Sequence, residues 1–124
     1  MRRSGESRGE DRGQVTVEFA LVLPLLVLCI AGLIWVGNVV ALQVRLEHAA
    51  REGARAAAVE PERALTVASA AVGRSLGDAV VSVAVDAEFV VVDVESTARG
   101  LPLVGIGERT LHAQVHMRRE DINE

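Results

Sequence analysis

The chain has 124 residues, 50% of them hydrophobic and 24% charged, with a net charge of −4 at pH 7. This length has room for one modest domain and one membrane segment. The negative charge and the three aromatic side chains (two Phe and one Trp) exclude a basic or base-stacking surface, so no nucleic-acid partner is expected. Cys29 is the only cysteine, which excludes an intramolecular disulfide.

The chain opens with a polar leader, residues 1–13, in which seven side chains are charged and four of those are arginines. Basic residues flanking a membrane segment tend to stay on the cytoplasmic side. The leader therefore predicts a cytoplasmic N-terminus and places the rest of the chain outside the cytoplasm. Arg45, Arg51 and Arg55 follow the apolar segment and weaken this charge difference without reversing it.

An uncharged apolar run covers residues 19–42. As a helix it would span about 36 Å, more than the hydrocarbon core of about 30 Å, and it is longer than the signal-peptide apolar region of about 7 to 15 residues. Trp35, toward its far end, suits the membrane interface. We predict a transmembrane helix over residues 14–42 in contact with membrane lipid. Residues 39–41 also fit a signal-peptidase site, which leaves a secreted domain as an alternative.

The junction before this run carries the main functional signal. Glu18 adjoins the apolar segment, where an ionised carboxylate is costly unless it is paired. A membrane protease cutting after Gly13 would create an α-amino group on Gln14 and make Glu18 the fifth residue of the mature chain. Residues four apart share a helix face, and the amine of a neighbouring subunit could neutralise the acid. We therefore predict Gly13 and Gln14 as a processing site and Glu18 as a residue for subunit registration.

Further residues bear on how the helix packs. Pro24 removes one backbone hydrogen bond, which either bends the helix or is simply tolerated there. Ala49, Gly53 and Ala57 form a stripe of small residues that lets another element approach closely. We favour packing of this small-residue stripe against the chain's own sheet over contact with another subunit. The helix is predicted to end near Val59, before a proline.

The remainder, residues 43–124, predicts a small extracytoplasmic α+β domain. A second, shorter helix is expected over residues 63–76, with Leu65, Ala68, Val72 and Leu76 on one face. Three strands are expected to form an antiparallel sheet, and a Gly/Pro-rich connector precedes the last of them. The strands are predicted at 79–86, 88–95 and 110–118, and the connector at 99–107.

No motif in the sequence indicates catalysis, a metal or a cofactor. His112 and His116 share a strand face but would lie about 13 Å apart, too far for one metal ion. No phosphate loop, nucleophile elbow or Cys/His cluster is present in the sequence. We therefore expect that the protein is not an enzyme.

The junction residues resemble a known family. A glycine, four residues, a glutamate and a long apolar helix resemble the processing motif of type IV prepilins. Residues 12–26, Arg-Gly-Gln-Val-Thr-Val-Glu-Phe-Ala-Leu-Val-Leu-Pro-Leu-Leu, resemble the start of TadE-like minor pseudopilins of tight-adherence (Flp) pilus systems. Residues 49–55, Ala-Ala-Arg-Glu-Gly-Ala-Arg, are similar to a segment of the same family, and residues 111–120 are similar to its closing strand.

The resemblance implies that a prepilin peptidase cuts between Gly13 and Gln14 and that Glu18 is the acid of the processing motif. It also implies other pilin or pseudopilin subunits and the pilus assembly machinery as partners, with the protein entering or helping to build a surface pilus. Flp major pilins usually have tyrosine where this chain has Phe19, and they are little more than one helix. Both differences favour a minor component. An unprocessed, single-pass membrane-anchored accessory or binding domain is the main alternative.

Overall fold

The computed structural model describes residues 7–100 and 107–119, with side chains described from residue 13 onward. Most of the predicted connector, and the end of the segment similar to the closing strand, lie outside the described residues. Two helices, α1 and α2, are followed by three strands, β1 to β3, with a short 3-10 helix between the two α-helices. The bounds are α1 Ser7–Val59, the 3-10 helix Pro61–Arg63, α2 Ala64–Gly73, β1 Val80–Val85, β2 Phe89–Ala98 and β3 Arg109–Arg118. This is the predicted α+β class.

The chain divides into two compact units, one ending at Trp35 and the other beginning at Val36. The described part of the first unit is helical, and every side chain from Gly13 to Ile30 is exposed. Within the segment Gly13–Val59, an 18-residue window has a mean hydropathy of 2.8, and none of it is buried. By length and composition, α1 can cross a membrane.

The second unit contains a three-stranded sheet in the order β1-β2-β3. Both neighbouring pairs are antiparallel, with Val83 opposite Val92 and Val92 opposite Val115. The central strand β2 alternates between a buried face and a more exposed face. The buried residues are Val90, Val92, Val94, Ser96 and Ala98. The predicted antiparallel sheet is confirmed.

The core of the second unit joins small residues on the helices to valines on the sheet. On α1 the buried residues recur every three or four positions, which is the period of one helix face: Leu46, Ala49, Ala50, Gly53, Ala54, Ala57 and Ala58. Alanine and glycine hold the helix axis close to its neighbours, while β-branched valines fill the sheet side and suit a pleated strand. Burial of this face stabilises the last third of α1 more than helix propensity does.

Helix α1 ends at Val59, as predicted, because Pro61 disfavours helical geometry at the residue before it. The second helix differs from its prediction in both length and face. It ends at Gly73 rather than at residue 76, and the amides of Ser75 and Leu76 both donate to the Val72 carbonyl at 2.9 Å. Glycine has a low helix propensity, so it favours an end at this point.

The predicted buried face of α2 was wrong at Leu65, which is 56% exposed. Ala64 is buried instead, together with Ala68, Ala71 and Val72. A short 3-10 helix, Pro61–Arg63, precedes α2, and the sequence pattern did not reveal it.

The strands lie where the sequence predicted them, with shifted ends. β2 continues three residues beyond the predicted end at Glu95, to Ala98, and pairs with β3 along its whole length. Gly107, just before β3, has a φ of 100°. Side chains other than glycine rarely adopt this conformation, so the glycine is required at this position.

Candidate processing and assembly site

The three residues of the predicted junction lie on one exposed stretch of α1. Gly13, Gln14 and Glu18 are all exposed and all helical. Gln14 and Glu18 are four residues apart, so they share a helix face with an axial separation of about 6 Å. The structure therefore has the side-by-side arrangement of positions 14 and 18 on which the prediction depends.

Glu18 is a single acid within an apolar surface. The residues that follow it expose large hydrophobic side chains, among them Phe19 at 67%, Leu21 at 72% and Val22 at 56%. In the part of the chain that the structure describes, Glu18 takes part in no salt bridge. A carboxylate at the start of a surface that can contact lipid is stabilised when another molecule supplies a cation to pair with it.

Gly13 lowers the local stability of helix α1. Glycine destabilises a helix interior by about 1 kcal/mol relative to alanine. An added Cβ at Gly13 would meet nothing within 4 Å, so close packing does not explain the glycine. Since α1 begins at Ser7, the bond between Gly13 and Gln14 lies inside the helix and must unwind before a protease can cut it. A glycine lowers the free energy of that unwinding.

Cleavage at this bond would change the electrostatic position of Glu18. Counted from Ser7, Glu18 is residue 12 of α1 (18 − 7 + 1), well inside the helix. Counted from Gln14, it is residue 5 (18 − 14 + 1). A carboxylate near a helix N-terminus is stabilised by the helix dipole by about 0.3 to 1 kcal/mol, and the new α-amino group adds a full positive charge. Processing would thus place a full positive charge one helical turn from Glu18.

The residues predicted for helix packing are in different environments. Pro24 lies in a continuous stretch of α-helix with an exposed surface. Ala49, Gly53 and Ala57 are all buried in the second unit. A Cβ built on Gly53 would lie 3.1 Å from Val72 Cγ2 and 3.5 Å from Val92 Cγ1. Helix α2 and the sheet therefore both approach Gly53, and the small-residue stripe faces the chain's own domain.

The structure also contains polar contacts that the sequence analysis missed. His112 Nδ1 lies 3.5 Å from Glu95 Oε2 on the exposed face of the sheet, and Gln43 Nε2 donates to the His112 carbonyl at 3.2 Å. Glu95 and His112 are direct cross-strand neighbours. Only the strand register brings them together, so spacing along the chain gave no signal for the pair.

A second set of contacts fixes the β1–β2 hairpin. Arg118 Nη2 lies 2.5 Å from Glu88 Oε1, and Arg119 Nη1 donates to the carbonyls of Asp86 and Ala87 at 3.5 and 3.4 Å. The Asp86 amide donates to the Phe89 carbonyl at 2.8 Å. These contacts join the turn to the end of β3, so we assign them to stabilisation of the fold and not to a reactive site. Among the described residues, no group of three or more potential ligands could hold a metal ion.

In the described residues, a long apolar helix that can cross a membrane by its length and composition continues into a small α+β unit, an arrangement typical of membrane-anchored proteins. The family model described as TadE-like protein matches residues 13–55. The match runs from Gly13 to Arg55, which is the last residue of the segment 49–55. Over this region the chain is similar to TadE-like proteins, and the resemblance seen in the sequence is confirmed there. Neither the search of curated proteins nor that of solved structures gave a match.

Proposed function

We propose that this protein is a minor pilin-like component of a tight-adherence (Flp) pilus system, anchored in the cytoplasmic membrane by α1 with its N-terminus in the cytoplasm. The TadE-like match supports association with such a system in general. The finer proposal rests on one observation. Gly13, Gln14 and Glu18 are exposed on the same apolar helix, with Glu18 lacking a cationic partner in the described part of the chain.

The proposed maturation is cleavage by a prepilin peptidase between Gly13 and Gln14. Removal of the polar leader would leave a helix whose first residue is Gln14 and whose apolar surface starts beside Glu18. The protein acts as a substrate and a subunit, and no catalytic role is assigned to any of its residues. Its partners are membrane lipid, the peptidase, other pilin or pseudopilin subunits and the assembly machinery.

The proposed role of Glu18 is registration of neighbouring subunits. In a bundle of apolar helices, sliding costs little because any apolar side chain can replace another. A single acid bound to the α-amino group of a neighbour's Gln14 restricts that sliding, because every other position would leave a charge unpaired in a medium of low dielectric constant. The expected effect is on assembly rather than on membrane insertion.

Intact mass and N-terminal sequencing of the protein purified from its own cells test the cleavage. The expected N-terminus is Gln14, and Gly13→Leu should block maturation because a bulky side chain prevents entry into the protease cleft. Gly9→Leu is the matched control, since it changes a glycine of the same leader away from the proposed bond. Mature native protein that still begins at residue 1 would falsify the proposal.

Glu18 is tested separately by Glu18→Gln, which removes the charge and keeps the shape. We expect this variant to be cleaved and inserted as efficiently as the wild type but to be recovered in assembled complexes at least about tenfold less, which corresponds to about 1.4 kcal/mol. Glu18→Asp, which keeps the charge, should restore part of the loss. Equal recovery of the Gln variant and the wild type would refute the registration role.

One observation favours the alternative of an unprocessed, membrane-anchored accessory domain. Helix α1 begins at Ser7 and passes through Gly13 without interruption, so the proposed bond is not presented in the extended form that proteases bind. If this alternative holds, Gly13→Leu changes neither the mass nor the function of the protein. The mass measurement on the wild type therefore separates the two.

A further inference from the structure

Strand β1 lies at one edge of the sheet, next to α2, and carries none of the charges or prolines that protect edge strands. Its sequence, Val-Val-Ser-Val-Ala-Val, contains no charge and no proline. Val80 is 67% exposed, Val85 is 45% exposed, and Ser82 and Ala84 are exposed as well. Within the part of the chain that the structure describes, no strand pairs with the outer edge of β1. Natural proteins usually block such an edge with charges, proline, a bulge or a covering element.

The hairpin shows which backbone groups of β1 face outward. The Asp86 amide donates to the Phe89 carbonyl, so residue 86 belongs to a hydrogen-bonded pair with β2. Hydrogen-bonded and non-hydrogen-bonded pairs alternate along an antiparallel ladder. The N–H and C=O groups of Val81, Val83 and Val85 therefore point away from β2. These three residues present a row of open donors and acceptors along the outer edge.

The opposite edge of the sheet provides an internal check. The Arg119 amide donates to the Glu88 carbonyl at 2.9 Å, and the same alternation makes the backbone groups of His112 point outward from β3. The His112 carbonyl indeed accepts the Gln43 side chain at 3.2 Å. That edge also exposes polar and basic side chains, including Arg109 and Arg118. Only the β1 edge combines open backbone groups with uncharged side chains.

We propose that β1 binds the β1 strand of a second copy of this chain, antiparallel and around a twofold axis, to give a continuous six-stranded sheet. With Val83 opposite the partner's Val83, Val81 lies opposite the partner's Val85. All three residues with outward-facing groups then exchange hydrogen bonds, about six in total. A twofold pairing of this kind is self-complementary, as an isologous interface requires.

The number of hydrogen bonds selects this register over its two neighbours, in which either Ser82 or Ala84 lies opposite its own copy, because only two of the three outward-facing residues then meet one another. Charge also disfavours the first of these neighbours. A shift that placed Ser82 opposite the partner's Ser82 would keep every side chain on its own face, but it would bring Asp78 opposite the partner's Asp86. Like charges directly opposite each other destabilise a strand pair. In the proposed register, Asp86 lies opposite the partner's uncharged Val80 instead. The pairing uses β1 alone and does not depend on cleavage after Gly13 or on a role in a pilus.

Disulfide formation tests the register in the full-length chain, reconstituted in phosphatidylcholine vesicles in a Cys29→Ala background. In the proposed pairing, Ser82 lies opposite the partner's Ala84 in a non-hydrogen-bonded pair, with Cα atoms about 4.5 Å apart. That distance suits a disulfide, whereas two copies of position 82 would lie about 8 Å apart, too far to be bridged.

A mixture of Ser82→Cys and Ala84→Cys chains should therefore cross-link at least about fivefold faster than either variant alone. Equal rates in the mixture and in the single variants would overturn the proposal, as would fastest cross-linking in Ser82→Cys alone.

Charge variants test the pairing without any cross-link. Two double variants, Ser82→Lys/Ala84→Lys and Ser82→Glu/Ala84→Glu, each place like charges opposite each other across the dimer at an exposed surface. Within one chain, position 82 is paired with Asp93, so the lysine variant keeps the fold of the single chain, whereas the glutamate variant adds one like-charge pair to it. Sedimentation equilibrium in detergent micelles should show dimerisation weakened about tenfold in each variant and restored to within about twofold when the two are mixed. A wild-type chain that stays monomeric, or a lysine variant that dimerises like the wild type, would overturn the proposal.

Discussion

Replacement of Gly53 with valine is the sharpest test of how the second unit is packed. The Cβ of any larger residue at this position would lie 3.1 Å from Val72 Cγ2 and 3.5 Å from Val92 Cγ1. Val72 is 1% exposed and Val92 is 0% exposed, so neither can move aside into solvent. Valine would also add two methyl groups beyond that Cβ.

The size of the effect follows from two opposing contributions. Inserting extra carbon atoms into a packed core costs about 1 to 3 kcal/mol, while replacing glycine with valine in a helix gains a few tenths of a kcal/mol in helix propensity. We therefore expect Gly53→Val to lower the free energy of unfolding of the second unit by about 2 kcal/mol. A loss of this size corresponds to an unfolding equilibrium shifted by about 30-fold.

Hydrogen–deuterium exchange of the β2 amides measures this change in the full-length chain in detergent micelles. Exchange that requires unfolding of the sheet should be about 30-fold faster in Gly53→Val. Gly37→Val is the matched control, because the same substitution in the same helix meets nothing within 4 Å. It should change exchange by less than about twofold.

If both valine variants exchange at the wild-type rate, the proposed packing of the small-residue stripe against α2 and β2 is incorrect. Loss of association between subunits in Gly53→Val, with unchanged β2 exchange, would assign the stripe to subunit contact instead. The exchange measurement therefore decides between the two interpretations that the sequence left open.

Three further changes have smaller or more local expected effects. Val92→Ala removes two buried methyl groups and should cost about 2 kcal/mol, measured by urea unfolding; no change would mean that the core is not closed around β2. His112→Ala removes a contact with Glu95 between side chains that are 58% and 44% exposed, so the thermal midpoint should change by less than the equivalent of about 1 kcal/mol. Pro24→Ala supplies a backbone N–H where proline has none, so the amide at position 24 should exchange slowly; fast exchange would show that the helix is open there.

The sequence predicted the long helix and its end for simple reasons. An uncharged run that exceeds the thickness of a bilayer must be helical if it enters lipid, because a helix satisfies its own backbone groups. Pro61 limits the helix from the other side, since it disfavours helical geometry at the residue before it. The third strand was predictable from its own periodicity. Along β3, apolar residues alternate with polar ones, as in a strand with one buried face: Leu111, Ala113, Val115 and Met117.

The candidate site was predictable in part. Gly13, Gln14 and Glu18 are neighbours along the chain, so a helix is enough to set their spacing. Whether a protease cuts there depends on another protein, and no feature of this chain alone decides it. The Glu95–His112 pair was not predictable, since those residues are 17 positions apart (112 − 95) and meet only through the register of β2 and β3.

Local periodicity thus determined by itself which segments of this protein are helix and strand, and hydrophobic length determined which segment can enter a membrane. Tertiary packing alone decided the rotation of α2, the burial of Ala64 in place of Leu65, and the neighbours of Gly53. Periodicity defines a face along one element, but the partner of that face depends on how separate elements pack together. For the same reason only the assembled sheet shows that β1 has an open edge.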